Sequence, residues 1–330
     1  MKVDDTIWRK ELFRSVLRAN RLMFHPKVIV FMSTYNGQSY LAEQLDSIFL
    51  QSYKNWELWV SDDGSDDETC RILEDYQNRF HDKVFLTHLG PHKGFSANFL
   101  SLVCQQTSQG SYYCYCDQDD IWAPNKLQQA INWLSTIPQA LPALYCARTQ
   151  LVNENNTIIG ASLLFKKKPG FLNALVQNIA GGNTMMFNQS AIDLLRSAGD
   201  TMPVVAHDWW TYLLVTGAGG IVFYDSHPTV YYRQHGDNLI GSNLGWHARM
   251  KRASMVLKGR LKQWNDVNFC ALTANQHLLK AQNREILFHF IAARNARVLF
   301  KVITLKRLGI YRQTLLGNIG LITAALLNKI

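Results

Sequence analysis

The chain has 330 residues and a hydrophobic content of 47%, enough for one large or two modest domains with a buried core. No run of about 18 apolar residues that could span a membrane, no signal-peptide pattern and no zinc-finger spacing among the six cysteines is present, which predicts a reduced, cytoplasmic protein. Residues 1–246 carry 19 Lys and Arg against 23 Asp and Glu, whereas residues 247–330 carry 15 against 2. This basic tail indicates an anionic partner, either a membrane surface or a nucleic acid.

The first predicted element is a basic amphipathic helix within residues 6–24. Apolar side chains such as Trp8 and Leu12 recur there at helical spacing, with Arg and Lys residues between them. Two interpretations are open: the helix lies on a membrane, or it packs against the body of the protein. The helix ends before Pro26, because the residue preceding a proline is biased away from helical conformation.

Strands and helices then alternate through the first half of the chain. Strands are predicted within residues 27–37, 56–61, 84–88 and 112–116, and helices over 40–48, over 68–80, from 92 and after Pro124. This alternation is typical of a parallel, doubly wound α/β sheet. The first half contains neither GxGxxG nor GxxxxGK[ST], so such a sheet would bind the phosphates of a ligand by another route.

Acidic residues follow the predicted buried strand at residues 112–116. Asp117, Asp119 and Asp120 lie within four residues, at the end of the sheet where ligands of open α/β folds bind. Carboxylates this close repel one another unless a cation lies between them, and oxygen ligands suit Mg²⁺ or Mn²⁺. The sequence therefore predicts a divalent-metal site; the alternative is a solvated acidic turn that begins the next helix.

The second half of the chain is predicted to be mixed. Residues 143–165 form two strands around an Asn-rich turn at 153–156, and a basic loop follows at residues 166–170. A double glycine, a short strand and a helix are predicted within residues 179–191. The remaining predictions are a helix over 204–220, a strand over 221–224, and an aromatic strand that ends in a polar, His-containing loop within 230–238. Tail helices are predicted over 246–264, 269–290 and 292–306, with a short apolar segment at 315–327.

Seven short motifs stand in a characteristic order along residues 27–240. They are MSTYNG at 32–37, VSDDGSDD at 60–67, HKGFSANF at 92–99, DQDDIW at 117–122, GGNTMMFN at 181–188, HDWW at 207–210 and YRQHGDN at 232–238. In this set the chain resembles family 2 glycosyltransferases, and especially bacterial rhamnosyltransferases that build cell-surface polysaccharides. The resemblance implies a GT-A fold, a Rossmann-like, mostly parallel sheet flanked by helices.

The expected domain organisation combines that resemblance with the charge pattern. An amphipathic N-terminal segment spans residues 1–25, a GT-A catalytic domain spans 26–245, and a basic helical extension that associates with membrane spans 246–330. The alternative for the extension is a set of helices packed on the body with a solvated basic face. The motifs say little about these last residues.

The resemblance also implies a donor site and a metal site. Asp119 is expected to bind Mg²⁺ or Mn²⁺ directly, with Asp117 and His235 as further ligands or contacts to the ribose and phosphate. The metal would bridge the nucleotide diphosphate and offset charge on the leaving group. Residues expected to bind the nucleotide sugar are Ser33, Thr34, Tyr35, Asp62, Asp63, Lys93, Asn98, Asp117, Arg233 and Gln234.

Asp208 matches the family's catalytic base. An inverting transfer needs a carboxylate that deprotonates the acceptor hydroxyl, and reduced solvation beside two tryptophans is expected to raise its pKa. Residues expected on the acceptor or sugar side are Gly181, Gly182, Asn183, His207, Trp209 and Trp210. For the tryptophans, stacking on a sugar and packing in the core are both open, with one of the two expected in the core.

The expected activity is a metal-dependent, inverting sugar transfer at the inner face of the cell membrane. By resemblance, the donor is dTDP-L-rhamnose and the acceptor a lipid-linked or growing glycan; a UDP-hexose or UDP-N-acetylhexosamine donor is the alternative. A nucleic-acid-binding protein and an inactive scaffold are hypotheses of other classes. Nucleic acid is not an expected partner, because the strand-end acids repel phosphate and no nucleic-acid-binding module is visible.

Overall fold

A computed structural model describes residues 25–87, 90–106, 108–235 and 259–330. The predicted helix within residues 6–24 and the end of the YRQHGDN loop lie outside these ranges. Within them the chain forms the mixed α/β architecture that the sequence predicts, followed by a helical C-terminal region.

Seven strands form the central sheet. They are β1 (Val28–Thr34), β2 (Trp56–Asp62), β3 (Val84–Thr87), β4 (Tyr112–Cys116), β6 (Ala143–Ala147), β9 (Met186–Asn188) and β10 (Ile221–Asp225). Their order is β10-β6-β9-β4-β1-β2-β3. All neighbouring pairs are parallel except those of β9, which runs antiparallel to both β4 and β6. The sheet is therefore mostly parallel, with one reversed strand near its centre.

Within the described residues, a second sheet has four strands, none of which pairs with a strand of the first. Its strands are β5 (Ile121–Trp122), β7 (Gln150–Val152), β8 (Ile158–Ala161) and β11 (Val230–Arg233), in the order β5-β11-β7-β8. This arrangement corrects the expectation of two strands within residues 143–165. That segment holds three strands in two sheets, because the chain leaves the central sheet after Ala147 and the Asn-rich turn joins β7 to β8.

Helices cover the central sheet and form the C-terminal region. They are α1 (Leu41–Phe49), α2 (Thr69–Arg79), α3 (Phe95–Gln105), α4 (Lys126–Leu134), α5 (Phe171–Ala174), α6 (Gln189–Ala198), α7 (His207–Gly217), α8 (Arg260–Ala274), α9 (Ala281–Arg294), α10 (Val298–Leu308) and α11 (Leu315–Leu326). The tail boundaries differ from prediction. The predicted break at residues 265–268 lies inside α8, and the predicted helix over 269–290 is interrupted between Ala274 and Ala281.

The strands of the central sheet are buried on both faces. All five residues of β4 are buried, which explains its unbroken apolar and aromatic sequence. Alternate residues of β1 point into two core clusters, Ile29 and Phe31 into one and Val28 and Val30 into the other. The first cluster also contains side chains from the C-terminal helices, which therefore pack on the body of the protein.

The six cysteines are all unpaired, as expected. Cys114 and Cys116 share one face of β4 and are core residues. Cys270, on α8, is exposed. Across the residues that the structure describes, no helix is both long and apolar enough to cross a membrane.

Candidate active site

The predicted site residues converge on the carboxyl-terminal edge of the central sheet. Thr34, at the end of β1, pairs with Asp62 at the end of β2, and Met32 pairs with Cys116 at the end of β4. Since these strands are parallel, the loops that leave them emerge side by side. The first strand loop, the Asp62–Asp67 segment and the DQDD motif thus form one surface.

Asp62 fixes the loop after β2. Its carboxylate accepts hydrogen bonds from Thr34 Oγ1 at 2.8 Å, from Ser65 Oγ at 2.6 Å and from the backbone amides of Gly64 and Ser65. Burial opposes ionisation, but these hydrogen bonds prevail and hold the pKa of Asp62 below its ordinary value. Asp62 is therefore an ionised, nearly buried residue that already joins β1 to the following turn.

Asp63 and Asn98 hold the neighbouring segment in place. The Asp63 carboxylate accepts from the amides of His92 at 2.7 Å and Gly94 at 2.9 Å. The buried Asn98 amide donates to Ser33 Oγ at 2.7 Å and to the Ser61 carbonyl, and its oxygen accepts from Ser61 Oγ. Both side chains thus bind protein groups, and Asn98 orients Ser33, which is predicted to bind the nucleotide sugar. Lys93, by contrast, is exposed.

Gln118 belongs to the site although it was not among the predicted residues. Its side chain accepts from the Tyr35 amide and donates to the Tyr35 carbonyl, both at 2.9 Å. Gly37 leaves room for it, because a Cβ there would lie 2.4 Å from Gln118 Oε1 and would displace that side chain. The reciprocal pair ties the exposed Tyr35 loop to the DQDD motif. The sequence contains one signal for this role, because Gln118 is an amide residue between two acids. An amide side chain can pair with the N–H and C=O groups of a backbone, as another backbone segment would.

The DQDD carboxylates are crowded and poorly solvated. Burial, followed by the charges of Asp119 and Asp208, raises the pKa of Asp117. Asp120 is fully buried, and burial with the charges of Asp119 and Asp117 raises its pKa well above the ordinary value. Buried Lys126 is the nearby positive charge; its ammonium lies 3.8 Å from the centre of the Trp122 ring. This edge of the sheet therefore favours a cation.

His235 joins this acidic cluster from the end of β11. Its Nε2 lies 2.9 Å from Asp119 Oδ2, and its ring lies 5.1 Å from that of Tyr40. Of the described residues, no three His, Cys, Asp or Glu side chains form a cluster that could hold a metal ion. The donor set still fits Mg²⁺ or Mn²⁺, because such ions are commonly held by one or two protein ligands plus substrate phosphates.

Arg233 has a structural role at the end of β11. Its guanidinium is buried beside the Tyr40 ring and is committed to four groups from three segments. These are the carbonyls of Asp119 and Glu154, the Asn156 side chain and the Glu43 carboxylate. The backbone amide of the adjacent Gln234 donates a hydrogen bond to the Val152 carbonyl at 2.8 Å.

Asp208 lies on the first turn of α7, facing the acidic edge. Its Oδ2 accepts from the Gly182 amide at 3.2 Å and its Oδ1 from the Trp209 amide at 2.6 Å. Burial raises the pKa of Asp208 to about 6, and hydrogen bonds from Trp209, Asn178 and Gly182 oppose the shift. At neutral pH this carboxylate is mostly ionised but markedly more basic than an ordinary aspartate, which suits a general base.

His207 and the two tryptophans face inward from the same helix. Burial lowers the pKa of His207 to about 3, and its ring stacks on Phe99 with centroids 4.0 Å apart. Trp209 and Trp210 are both buried, and Trp209 Nε1 donates to the Ala174 carbonyl at 2.7 Å. Both indoles therefore pack in the core in this structure.

The predicted acceptor side is linked to the acid cluster through Asn183. Its amide donates to Asp120 Oδ2 at 2.6 Å, while Gly182 places its Cα against the ring of His207. A Cβ at Gly182 would lie 2.6 Å from His207 Nε2 and 3.4 Å from Asp208 Cβ. The double glycine thus allows the loop before β9 to reach the start of α7.

Comparison with solved structures identifies the fold class. A structure of S. aureus TarS 1-349 in complex with UDP-GlcNAc superposes with a TM-score of 0.53 at 16% identity, covering 92% of this chain and 90% of that one. A further TarS 1-349 structure gives a TM-score of 0.51 at 17% identity, covering 79% and 69%. This likeness, together with the acid-ended parallel strands, defines a GT-A fold.

The sequence comparisons define the family. The model of glycosyl transferase family 2 matches residues 29–195, and the chain belongs to that family. The dTDP-rhamnosyl transferase RfbG of Shigella flexneri is 29% identical over 234 residues, which cover 68% of this chain and 78% of the relative. The putative glycosyltransferase EpsE of Bacillus subtilis is 38% identical over 109 residues, covering 33% of this chain and 38% of the relative. The resemblance to family 2 glycosyltransferases is thereby confirmed.

Proposed function

We propose that this glycosyltransferase is an inverting enzyme that transfers a sugar from a nucleotide donor, with Asp208 as general base. The observation that carries the proposal is the position of Asp208. Its carboxylate has a pKa near 6 and lies close enough to Asp117 for their charges to interact. A base beside an acidic, cation-favouring edge suits a reaction in which a hydroxyl attacks a carbon bonded to a diphosphate.

The chemistry assigned to Asp208 balances without an enzyme nucleophile. The acceptor hydroxyl forms a bond to the anomeric carbon while the bond from that carbon to the diphosphate oxygen breaks. The hydroxyl proton moves to Asp208, and the bonding electrons leave with the diphosphate. The Gly182 and Trp209 amides, which donate to the two carboxylate oxygens, orient the base for this transfer. Their effect is positional, because the acceptor must lie within hydrogen-bond reach.

The donor side is proposed at the loops after β1 and β2 and at the DQDD motif. Exposed Tyr35, half-buried Ser33 and the remaining acceptor capacity of Asp62 and Asp63 suit a base and a ribose. Asp119 and His235, with Asp117 beside them, would hold Mg²⁺ or Mn²⁺, which offsets the charge of the diphosphate when bound. Exposed Lys93 remains a candidate phosphate contact.

The best-supported donor is dTDP-L-rhamnose, because RfbG aligns with most of this chain and carries a dTDP-rhamnosyl transferase name. A UDP-N-acetylhexosamine is the second candidate, since the structural neighbour TarS binds UDP-GlcNAc on a similar fold. We propose a lipid-linked or growing cell-surface glycan as acceptor, which would bring the enzyme to the inner face of the cell membrane.

A donor screen tests this proposal. The full chain is titrated with dTDP-rhamnose, UDP-glucose, UDP-GlcNAc and GDP-mannose, with and without Mn²⁺, and the midpoint of thermal unfolding is recorded. A Mn²⁺-dependent rise with dTDP-rhamnose is expected. A rise with UDP-GlcNAc alone would replace the donor, and no rise with any donor would contradict the proposed site.

The role of Asp208 needs a second measurement. Asp208→Asn is expected to bind donor with unchanged affinity but to lose transfer by about a thousandfold or more. Asp193→Asn, an equivalent change at an exposed position on α6, is the matched control and should transfer normally. Near-normal transfer by Asp208→Asn would remove this residue from the mechanism.

A further inference from the structure

The outer face of α10 is apolar although it is open to solvent. Leu299, Phe300 and Ile303 are all exposed, and they recur at a spacing that puts them on one side of the helix. The opposite side, with Lys301 and Leu305, is buried against the protein. At the end of the same outer face, Lys306 and Arg307 are exposed. The outer side of this helix therefore exposes apolar side chains to water.

The next helix repeats the arrangement. Leu315, Ile319, Ile322 and Leu326 recur every three or four residues on α11, and all are exposed, Leu315 to 77%. Its inner side is buried through Leu321, Ala324 and Ala325, and the helix packs against α10. Soluble monomers seldom expose contiguous apolar patches of this kind without a partner.

The segment that carries these two faces is strongly basic, and a basic loop lies beside it. From residue 286 to the end, the chain contains seven Lys and Arg residues and no Asp or Glu. The exposed loop of residues 166–168, three successive lysines, is held against the segment between the two helices. Lys167 donates from its amide to Gln313 Oε1 at 3.0 Å and from its ammonium to the Arg312 carbonyl at 3.1 Å.

We propose that the outer faces of α10 and α11, together with the lysine loop at residues 166–168, form a docking face for an anionic lipid bilayer. Each helix has 11 or 12 residues, too few to span a membrane but suited to lie in its headgroup region. The apolar side chains enter the boundary of the acyl chains, and the surrounding cations bind anionic headgroups. Combined apolar and basic character favours this partner over a nucleic acid, which offers no apolar phase.

The docking face is connected to the helix that carries Asp208. The lysine loop continues to Gly170, whose amide is paired with the Tyr212 hydroxyl of α7 at 3.0 Å. The following helix, α5, supplies the Ala174 carbonyl that binds Trp209. If the proposed transfer to a lipid-linked acceptor is correct, docking at this face therefore holds the acceptor side of the cleft against the membrane.

Vesicle sedimentation of the full chain tests the docking face. Binding is measured to phosphatidylcholine vesicles with and without phosphatidylglycerol, at low and high salt. Binding is expected to require the anionic lipid and to weaken with salt. Leu315→Glu with Ile319→Glu is expected to weaken it about tenfold or more, whereas Leu50→Glu, at a similarly exposed leucine after α1, should bind as the wild type does.

Charge reversal gives an independent arm. Lys166→Glu with Lys168→Glu is expected to weaken binding to anionic vesicles about tenfold or more, and the exposed Lys54→Glu is the matched control for altered charge. Each variant is also measured for donor binding by thermal shift, which should not change and which tests the glycosyltransferase proposal separately. Normal vesicle binding by both double variants would overturn the docking face. If the double variants lose self-association but keep lipid binding, the docking face is also overturned, and a second copy of the chain is its occupant.

Discussion

The buried guanidinium of Arg233 forms an ion pair with Glu43 across 2.5 Å, although 44% of the Glu43 side chain is exposed. Arg233 is the last residue of β11, whereas Glu43 lies on the first turn of α1, 190 positions away in sequence. The same guanidinium also reaches the Asp119 carbonyl. One arginine thus holds together the second sheet, the first helix and the acidic motif.

Arg233→Lys is expected to destabilise the fold by about 3–5 kcal/mol despite conserving charge. A lysine has one compact ammonium and cannot reproduce a planar fork that serves four acceptors in three segments, so buried acceptors would lose their donors. Urea unfolding measures the change. The control is Arg71→Lys, at an exposed arginine paired with Glu68, where about 0.5 kcal/mol or less is expected. Equal effects at both positions would show that burial of Arg233 has no energetic consequence.

Gly182→Ala is expected to lower the rate of transfer by about a hundredfold. The new methyl group would lie 2.6 Å from His207 Nε2, so the loop must move away from Asp208 and its hydrogen bond to the Asp208 carboxylate would be lost. The comparison is Gly170→Ala, where a Cβ meets no atom within 4 Å and nearly normal activity is expected. Steady-state kinetics of the two variants measures the difference. Similar rates for both would show that the loop accepts a side chain at Gly182 without disturbing Asp208.

Asp208→Asn is expected to stabilise the protein, in a manner that depends on pH. Burial raises the pKa of Asp208 from 3.8 to about 6, so the folded state retains a proton that the unfolded state loses between these values. Stability of the wild type therefore falls as pH rises from about 4 to 6, and the neutral asparagine avoids this loss. The advantage of the variant should be near zero at low pH and reach at most about 3 kcal/mol above pH 7. The unfolding midpoints of the wild type and the variant are compared at about pH 4 and about pH 7.5. The same difference at both pH values would contradict the raised pKa of Asp208.

The rate of transfer is expected to depend on one ionisation near pH 6. A general base acts only when deprotonated, so kcat/KM should fall about tenfold per pH unit below the pKa of Asp208, which is about 6. Initial rates between pH 4.5 and 8 measure this profile. A profile that remains flat down to pH 5 would exclude Asp208 as the base whose ionisation controls the free enzyme.

His235→Ala is expected to weaken Mn²⁺ binding about ten- to a hundredfold. The substitution removes the imidazole nitrogen that lies 2.9 Å from Asp119 Oδ2. The readout is the Mn²⁺ concentration required for stabilisation by the nucleotide donor. His227→Ala provides the control, because that histidine also contacts a carboxylate, Asp225, but its side chain is 82% exposed and lies outside the site. Unchanged Mn²⁺ dependence in His235→Ala would assign His235 to positioning Asp119 instead.

The strands near the start of the chain could be predicted closely, because they are rich in the apolar, aromatic and β-branched residues that suit buried strands. β1, β2 and β4 lie where the sequence predicts them, and their ends gather Asp62, Asp63 and the DQDD motif at one edge. The direction of β9 could not be predicted in this way. It has only three residues, all buried, and such a segment carries no pattern that distinguishes parallel from antiparallel pairing.

Long-range partners account for the contacts that the sequence could not reveal. A polar residue at the end of a strand, such as Arg233, suggests a ligand contact, but the carbonyls and side chains that it binds are far away in sequence. Trp209 and Trp210 were ambiguous for a related reason. Ten of the eleven residues of α7 are buried, so this helix has no solvent face from which a sugar-binding indole could be recognised.

The distribution of the cysteines makes the native chain convenient for site-specific labelling. Burial raises the pKa of five of the six thiols, which keeps them protonated and unreactive at neutral pH; they are Cys70, Cys104, Cys114, Cys116 and Cys146. Cys270 is exposed on α8, within the C-terminal helices. A maleimide fluorophore attached there would report on the environment of the tail in the otherwise unmodified enzyme.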